Sequence, residues 1–271
     1  MLGGARASAA QLERDLAAIR RRTEGAAGVT FLAPFLDLEL ITVASGRVRV
    51  VEVFWGTPDP DLVARIHAGG SLASWQVGTA ADARAAEIAR CEIVVVQGVE
   101  AGGHVHGTTP LAELITAARS IVTAPLVAAG GIGTRRDVAA ALAAGADAVR
   151  CGTVLVAAAE SGAHPDYQRA LVGADPADTV LTTVFSHGWP DAPHRVLGDC
   201  VRAVAKAPDP VGELIDDGAR AMLRRGATAS PTRTTRGMIA AMPQYAGLSV
   251  GAVHAIRPAA AIVADLVGPS G

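Results

Sequence analysis

The sequence predicts an α/β protein built on a parallel sheet, and three observations predict it. Short apolar, β-branched runs alternate with alanine-rich amphipathic segments as far as about residue 161, and no polar linker interrupts the series. The chain has 271 residues and is 50% hydrophobic, enough for one large domain with a substantial core. Strands that alternate with helices pair in parallel, with both sheet faces covered. The spacing suits a closed barrel or a doubly wound open sheet, and periodicity does not choose between them.

The elements follow in order. Ser8 to Gln11 fits a capping box and opens a helix to about Arg22. Gly28 to Leu32 reads as a strand, followed by an irregular stretch, and Val48 to Phe54 as a second strand ending at Gly56-Thr57-Pro58. Next come a helix over Leu62 to Ala68, a strand over Leu72 to Val77, a helix over Ala80 to Ala89 and a strand over Ile93 to Gln97. Pro110 suits a first helical position and opens a helix to about Ser120. Pro125 to Ala129 is a strand, Arg135 to Ala144 a helix and Ala148 to Cys151 a strand. Beyond Gly162 the pattern changes to proline- and glycine-rich segments, with helices expected at Gly212 to Leu223, Met238 to Ala241 and Pro258 to Val267. The expected division is therefore a barrel portion, 1–161, and a helical C-terminal extension, 162–271, with too little strand character for a sheet of its own.

Composition narrows the function. A net charge of −2 creates no field that would gather nucleic acid or an anionic membrane surface. Arg21-Arg22 and Arg224-Arg225 read as solvated helix faces. Cys91, Cys151 and Cys200 are odd in number and form no C-x-x-C pair, which fits a reducing, cytoplasmic setting. No run of about 18 apolar residues could span a bilayer, and the first residues lack the apolar core of a secretory signal.

Two glycine loops carry the chemistry, each after a strand, where α/β barrels build their active sites. The first runs Gln97-Gly98-Val99-Glu100-Ala101-Gly102-Gly103-His104-Val105-His106-Gly107. Adjacent glycines let the backbone approach a flat or anionic ligand, and His104 directly after Gly103 would stand over it with a ring able to exchange a proton near neutral pH. The second is Ala128-Ala129-Gly130-Gly131-Ile132-Gly133, followed one helix later by Arg150-Cys151-Gly152-Thr153. Two successive strands ending in glycine, with a helix N-terminus near Thr153, form the phosphate site of a barrel's last two strands.

These residues resemble the FMN-dependent nitronate monooxygenases. The matching words are Gln97-Gly98-x-Glu100-Ala101-Gly102-Gly103-His104, Ala128-Ala129-Gly130-Gly131-Ile132, and Cys151-Gly152-Thr153 followed by Glu160-Ser161. Trp189-Pro190-Asp191-Ala192-Pro193-His194-Arg195 and Tyr245-Ala246-Gly247-x-Ser249-Val250-Gly251 are similar to the family's C-terminal segment. The resemblance implies a TIM-type (β/α)₈ barrel with FMN at its mouth. It places Gln76, Gln97, Gly102 and Gly103 toward the flavin, and Gly130, Gly131, Arg150, Cys151, Gly152 and Thr153 around its phosphate. His104 would act as base toward a neutral nitroalkane or as positive partner to an anionic nitronate. The implied reaction is oxidation of the nitronate, with molecular oxygen reoxidising the flavin, to a carbonyl compound and nitrite. The expected partners are that small substrate and oxygen, with no nucleic acid and no membrane, and a homodimer is the expected assembly if the chain associates.

Two departures stand out. Thr30 occupies a strand position where the family usually has an asparagine that touches FMN. Met1-Leu2-Gly3-Gly4 reads as the end of the second strand, so the first βα unit is missing from the sequence, and a barrel without it exposes two edges. The expectation is a start further upstream or a remnant with weakened flavin binding. Three other readings remain. An FMN-dependent enoyl-acyl carrier protein reductase or NAD(P)H:quinone reductase would reuse the same loop. His104-Val105-His106 could chelate a metal if it lay in a strand, as in a hydrolase. A non-enzymatic remnant is the third. His187 and His194 read as turn and cap structure, because Trp-Pro and Ala-Pro steps fix extended geometry, and spacing assigns Asp37 and Glu39 no role.

Overall fold

The computed structural model describes residues 1–3, 8–216 and 219–268. The chain divides into two compact units, one of residues 1–97, 106–128 and 144–148, the other of 98–105, 129–143 and 149–271.

In the first unit strands and helices alternate: β1 (Leu2–Gly3), α1 (Ala9–Arg20), β2 (Gly28–Leu32), α2 (Leu38–Ser45), β3 (Val50–Phe54), α3 (Pro60–Ala68), β4 (Leu72–Val77), α4 (Ala80–Ile88) and β5 (Ile93–Gln97). Further along the chain come a two-residue strand β6 (Gly103–His104) of the second unit, α5 (Leu111–Arg119), β7 (Leu126–Ala129), α6 (Arg135–Ala143), also of the second unit, and β8 (Ala148–Arg150). The main sheet has the order β1-β2-β3-β4-β5-β7-β8, and β1 through β5 pair in parallel. The start of each helix follows from its capping chemistry. Ser8, Asp37, Asp59 and Thr79 each accept a hydrogen bond from a first-turn backbone N–H, which satisfies a donor the helix leaves open. Asp37, without a role in the sequence reading, thus has a structural one, and the stretch read as irregular contains α2.

Pleat alternation sorts the side chains. Phe31, Val53, Trp75 and Val94 lie in cross-strand register and are at most 1% exposed. The alternate residues Thr30, Glu52 and Ser74 form a polar row on the opposite face. There the Thr30 hydroxyl donates to Glu52 Oε1 at 3.0 Å and the Ser74 hydroxyl to Oε2 at 3.4 Å. Glu52 is buried, and these bonds offset part of the cost of removing its carboxyl from water.

The second unit continues through α7 (Thr153–Val156), α8 (Pro165–Leu171), β9 (Thr179–Thr182), β10 (His194–Leu197), α9 (Gly198–Val204), β11 (Gly212–Asp216), β12 (Ala219–Leu223), β13 (Arg236–Gly237) and α10 (Ala259–Val267). The expected helix at 258–267 is α10, and that at 238–241 is a 3₁₀ turn over Ile239–Ala241. The expected helix over 212–223 is instead the antiparallel pair β11 and β12, joined by β13 in a three-stranded sheet; residues 217 and 218 lie outside the described residues. The expectation that this region carries no sheet of its own is therefore wrong. Helix-forming residues lost to packing here: a β-carbon on Gly212 would lie 2.1 Å from the Arg236 carbonyl, so the two backbones need the glycine to pair this closely. The sequence did hold the signal, an Asp217-Gly218 step between two five-residue runs.

Phe31→Ala removes the ring from the buried row and is expected to cost about 3–5 kcal/mol. Guanidinium unfolding checks this, and a loss under about 1 kcal/mol would show that the row does not carry the core.

Candidate functional site

In the second unit the two glycine loops lie against each other. The Gly98 amide donates to the Ala129 carbonyl at 2.9 Å. Gly130 has φ +113° and Gly131 φ +70°, conformations that L side chains rarely adopt. A β-carbon on Gly130 would meet Gly98 O at 3.1 Å and Ala101 N at 3.2 Å, and one on Gly131 would meet the Glu100 side chain at 2.9 Å. Gly102 is tighter still, since a β-carbon there would stand 2.4 Å from Gly247 N. Gly102 is thus demanded by backbone packing on Gly247, whereas Gly103, with φ +78°, has open space beside its α-carbon.

The same unit holds Arg150, Cys151, Gly152 and Thr153. A β-carbon on Gly152 would meet nothing within 4 Å. The Thr153 hydroxyl oxygen accepts from Gly247 N–H at 3.0 Å, which leaves its proton to donate. Burial holds the Cys151 thiol above its ordinary pKa, reinforced by Asp137, so it stays protonated and is a poor nucleophile.

His104 is half-buried in β6, whose antiparallel partner β10 sets His194 directly across from it. The Trp189 ring stacks on the His104 ring at a centroid distance of 4.1 Å and an interplanar angle of 19°. His194 and Tyr245 complete an aromatic box at 5.3 and 5.5 Å. Hydrogen bonds anchor the Tyr245 and His194 walls. Tyr245 donates from its hydroxyl to Thr228 O at 2.9 Å, and its carbonyl accepts from the Tyr167 hydroxyl. The Arg195 guanidinium donates to Val99 O, tying the loop to β10. His194 is fully buried; its Nδ1 donates to Ala192 O at 2.8 Å and its Nε2 accepts from Phe185 N–H at 3.2 Å. That bonding pattern defines a neutral imidazole, and burial lowers its pKa. His194 is the structural histidine the sequence indicated, but Trp189, His194 and Tyr245 as the surroundings of His104 were missed. Their segment reads as a turn, and only the pairing of β6 with β10 brings it to the loop.

In the first unit Gln76 and Gln97 are both buried, at the ends of adjacent strands β4 and β5. Gln76 pairs with Val95, two residues before Gln97, so both project from the same face as Glu52. Gln97 Oε1 accepts from the His106 backbone N–H at 3.2 Å. The His106 ring packs on Trp55 at 4.9 Å, and its Nδ1 lies 3.8 Å from Asp82 Oδ2. Thr30, where an asparagine was expected, donates its hydroxyl proton to Glu52 instead. Among the described residues no group of three or more His, Cys, Asp or Glu is placed to hold a metal, and no helix is long and apolar enough to cross a membrane.

Comparison with known proteins gives the family. Residues 6–267 match the sequence profile of the nitronate monooxygenases. A nitronate monooxygenase of Pseudomonas aeruginosa is 38% identical over 151 residues, 52% of this chain and 42% of that protein. A Mycobacterium tuberculosis protein carrying a monooxygenase designation is 30% identical over 254 residues, 91% of this chain and 66% of that protein. The chain thus spans less than two thirds of the length of these curated relatives. Among solved structures, a nitroalkane oxidase of Streptomyces ansochromogenes superposes with a TM-score of 0.75 at 26% identity, covering 98% of this chain and 86% of that one. FabK of Thermotoga maritima gives 0.75 at 26% identity, covering 96% and 81%.

Neutral His194 makes stability depend on pH. Its pKa is lower folded than unfolded, so its contribution is complete above the unfolded value near 6.5 and is lost as pH falls through the folded one. His194→Asn is expected to cost about 1–3 kcal/mol at pH 8, and the gap to wild type should narrow toward pH 5. Parallel urea titrations test this; a gap that stays constant with pH would refute the neutral assignment.

Proposed function

This chain belongs to the nitronate monooxygenase family, and from that premise we propose that it oxidises nitronates with FMN and molecular oxygen, yielding a carbonyl compound and nitrite. The observation that carries the reading is the contact of the two glycine loops within one unit, one leading into His104 and the other carrying the left-handed pair Gly130-Gly131. Left-handed Gly130 and Gly131, the free space beside Gly152 and the Thr153 hydroxyl suit a phosphate, which backbone N–H groups and a helix start receive well. Arg150 would supply the matching charge and Cys151 a backbone contact, while Gln76, Gln97, Gly102 and Gly103 would serve the ring system. In this reading residues 1–161 are the flavin-binding barrel portion and 162–271 the extension that supplies Trp189, His194 and Tyr245.

FMN, when bound, supplies the electron transfer from the substrate to oxygen. The protein supplies orientation, charge and proton handling. His104 takes the α-proton of a neutral nitroalkane when its ring is neutral, and attracts a preformed nitronate when its ring is charged. A second reading, an FMN-dependent enoyl-acyl carrier protein reductase or NAD(P)H:quinone reductase, draws on the likeness to FabK. Consumption of NADH in the absence of any nitronate would favour it.

Two experiments test the proposal. Gly152→Asp, at a position with open space beside its α-carbon, places a carboxylate at the proposed phosphate and is expected to yield folded protein with little FMN; full flavin occupancy would refute the phosphate assignment. With flavin-loaded enzyme, His104→Asn should slow oxidation of a neutral nitroalkane by roughly 10²–10⁴ and that of a preformed nitronate much less. The same change at His106 should leave both rates within a small factor of wild type, and equal losses at the two positions would overturn the assignment.

A further inference from the structure

The His104 box holds two histidines and an indole, and their geometry separates the roles of the two histidines. His194 cannot take a second proton without losing the Phe185 N–H bond to its Nε2, since its Nδ1 proton is already given to Ala192 O. Two imidazoles at 5.3 Å would also repel if both were charged. Any positive charge in the box therefore falls on His104. Trp189 lies nearly parallel to that ring at 4.1 Å, within the reach at which an indole face attracts a cation, and Trp is the best of the aromatic faces for this.

We propose that Trp189 is a positioning residue that fixes the plane of His104 and stabilises its protonated form, making His104 an imidazolium site for an anionic substrate group. This rests on the nitronate reading and deepens it. The charged and titratable groups around the ring are consistent with the role. From β10, neutral His194 faces His104, while the Arg195 guanidinium donates to Val99 O. From the segment after Met242 comes Tyr245, whose hydroxyl proton is given to Thr228 O, and from the turn that bears Trp189 comes Asp191, which is exposed. An indole face stabilises a neighbouring cation without adding a titratable group of its own. The consequence has a definite sign. Capture of a nitronate needs protonated His104, so it fades as pH rises through the His104 midpoint. Trp189 moves that limit upward.

The test follows His104 directly and does not depend on turnover. In the full chain, the imidazole Cε1–H signal of His104, identified by its absence in His104→Asn, is titrated by NMR in wild type, Trp189→Leu and Trp189→Phe. Trp189→Leu should lower the midpoint by about 0.5–1 pH unit, and Trp189→Phe by less, because a phenyl face is the weaker partner. In flavin-loaded enzyme the alkaline limit of kcat/KM for a preformed nitronate should fall by the same amount. An unchanged or raised midpoint in Trp189→Leu would overturn the proposal. Should that variant lose its native near-ultraviolet circular dichroism, Trp189→Phe decides, and an unmoved midpoint there would overturn it equally. A wild type that oxidises no nitronate would refute the functional reading, and the titration would still measure the stacking. A midpoint that shifts while the kcat/KM limit stays fixed would refute the role of that charge in capture.

Discussion

The architecture of the second unit depends on how closely backbones approach where side chains are absent. Gly102 on Gly247 leaves no room for a β-carbon, and Gly130, with its positive φ, sits tightly on the Gly98–Ala101 turn. That contact holds the loop ending in His104 against the loop of Gly130 and Gly131. Two backbones this near must have their polar groups satisfied, and they are. Gly98 N–H meets Ala129 O, Leu248 N–H meets Glu100 O, and Gly247 N–H meets the Thr153 hydroxyl. The rigidity that follows is what a site needs if it is to present amides and one imidazole in fixed places.

The histidines of the chain illustrate how environment assigns roles to identical side chains. His194 is sealed, bonded at both nitrogens and neutral. His104, across the ladder from it, faces a stacked indole and keeps access to the surroundings. His106, two residues along the chain, packs on Trp55 beside Asp82 in the first unit. Trp55 itself has φ +79°, a conformation uncommon for a bulky residue and held here by the turn at the end of β3. The H-x-H pair therefore does not lie within one strand. β6 ends at His104, and His106 lies beyond it.

Polar residues on the strands tell a similar story. In an all-parallel sheet the strands read as apolar runs, yet β2, β3 and β4 carry Thr30, Glu52 and Ser74 in one register row. Glu52 stays buried there because two hydroxyls donate to it. The departure at Thr30 from the asparagine of the resemblance thus has a local physical reason: its donor is committed across the ladder. A threonine so bonded offers an incoming group only acceptor capacity.

The sequence alone determined the βα alternation, with β2, β4 and β5 read at their observed ends, because apolar runs and capping residues act over a few neighbours. It also determined the glycine words, since a left-handed or side-chain-free position leaves few residue choices. Tertiary structure decided the rest. Residues 212–223 have the composition of a helix, but pairing with β13 and the closeness of Gly212 to Arg236 drew the described part into strands. Residues 33–45 looked irregular until Asp37 capped α2. Above all, the walls around His104 come from Trp189, His194 and Tyr245, at least 85 positions away in the chain. Such contacts follow from strand register and packing, which no local pattern encodes.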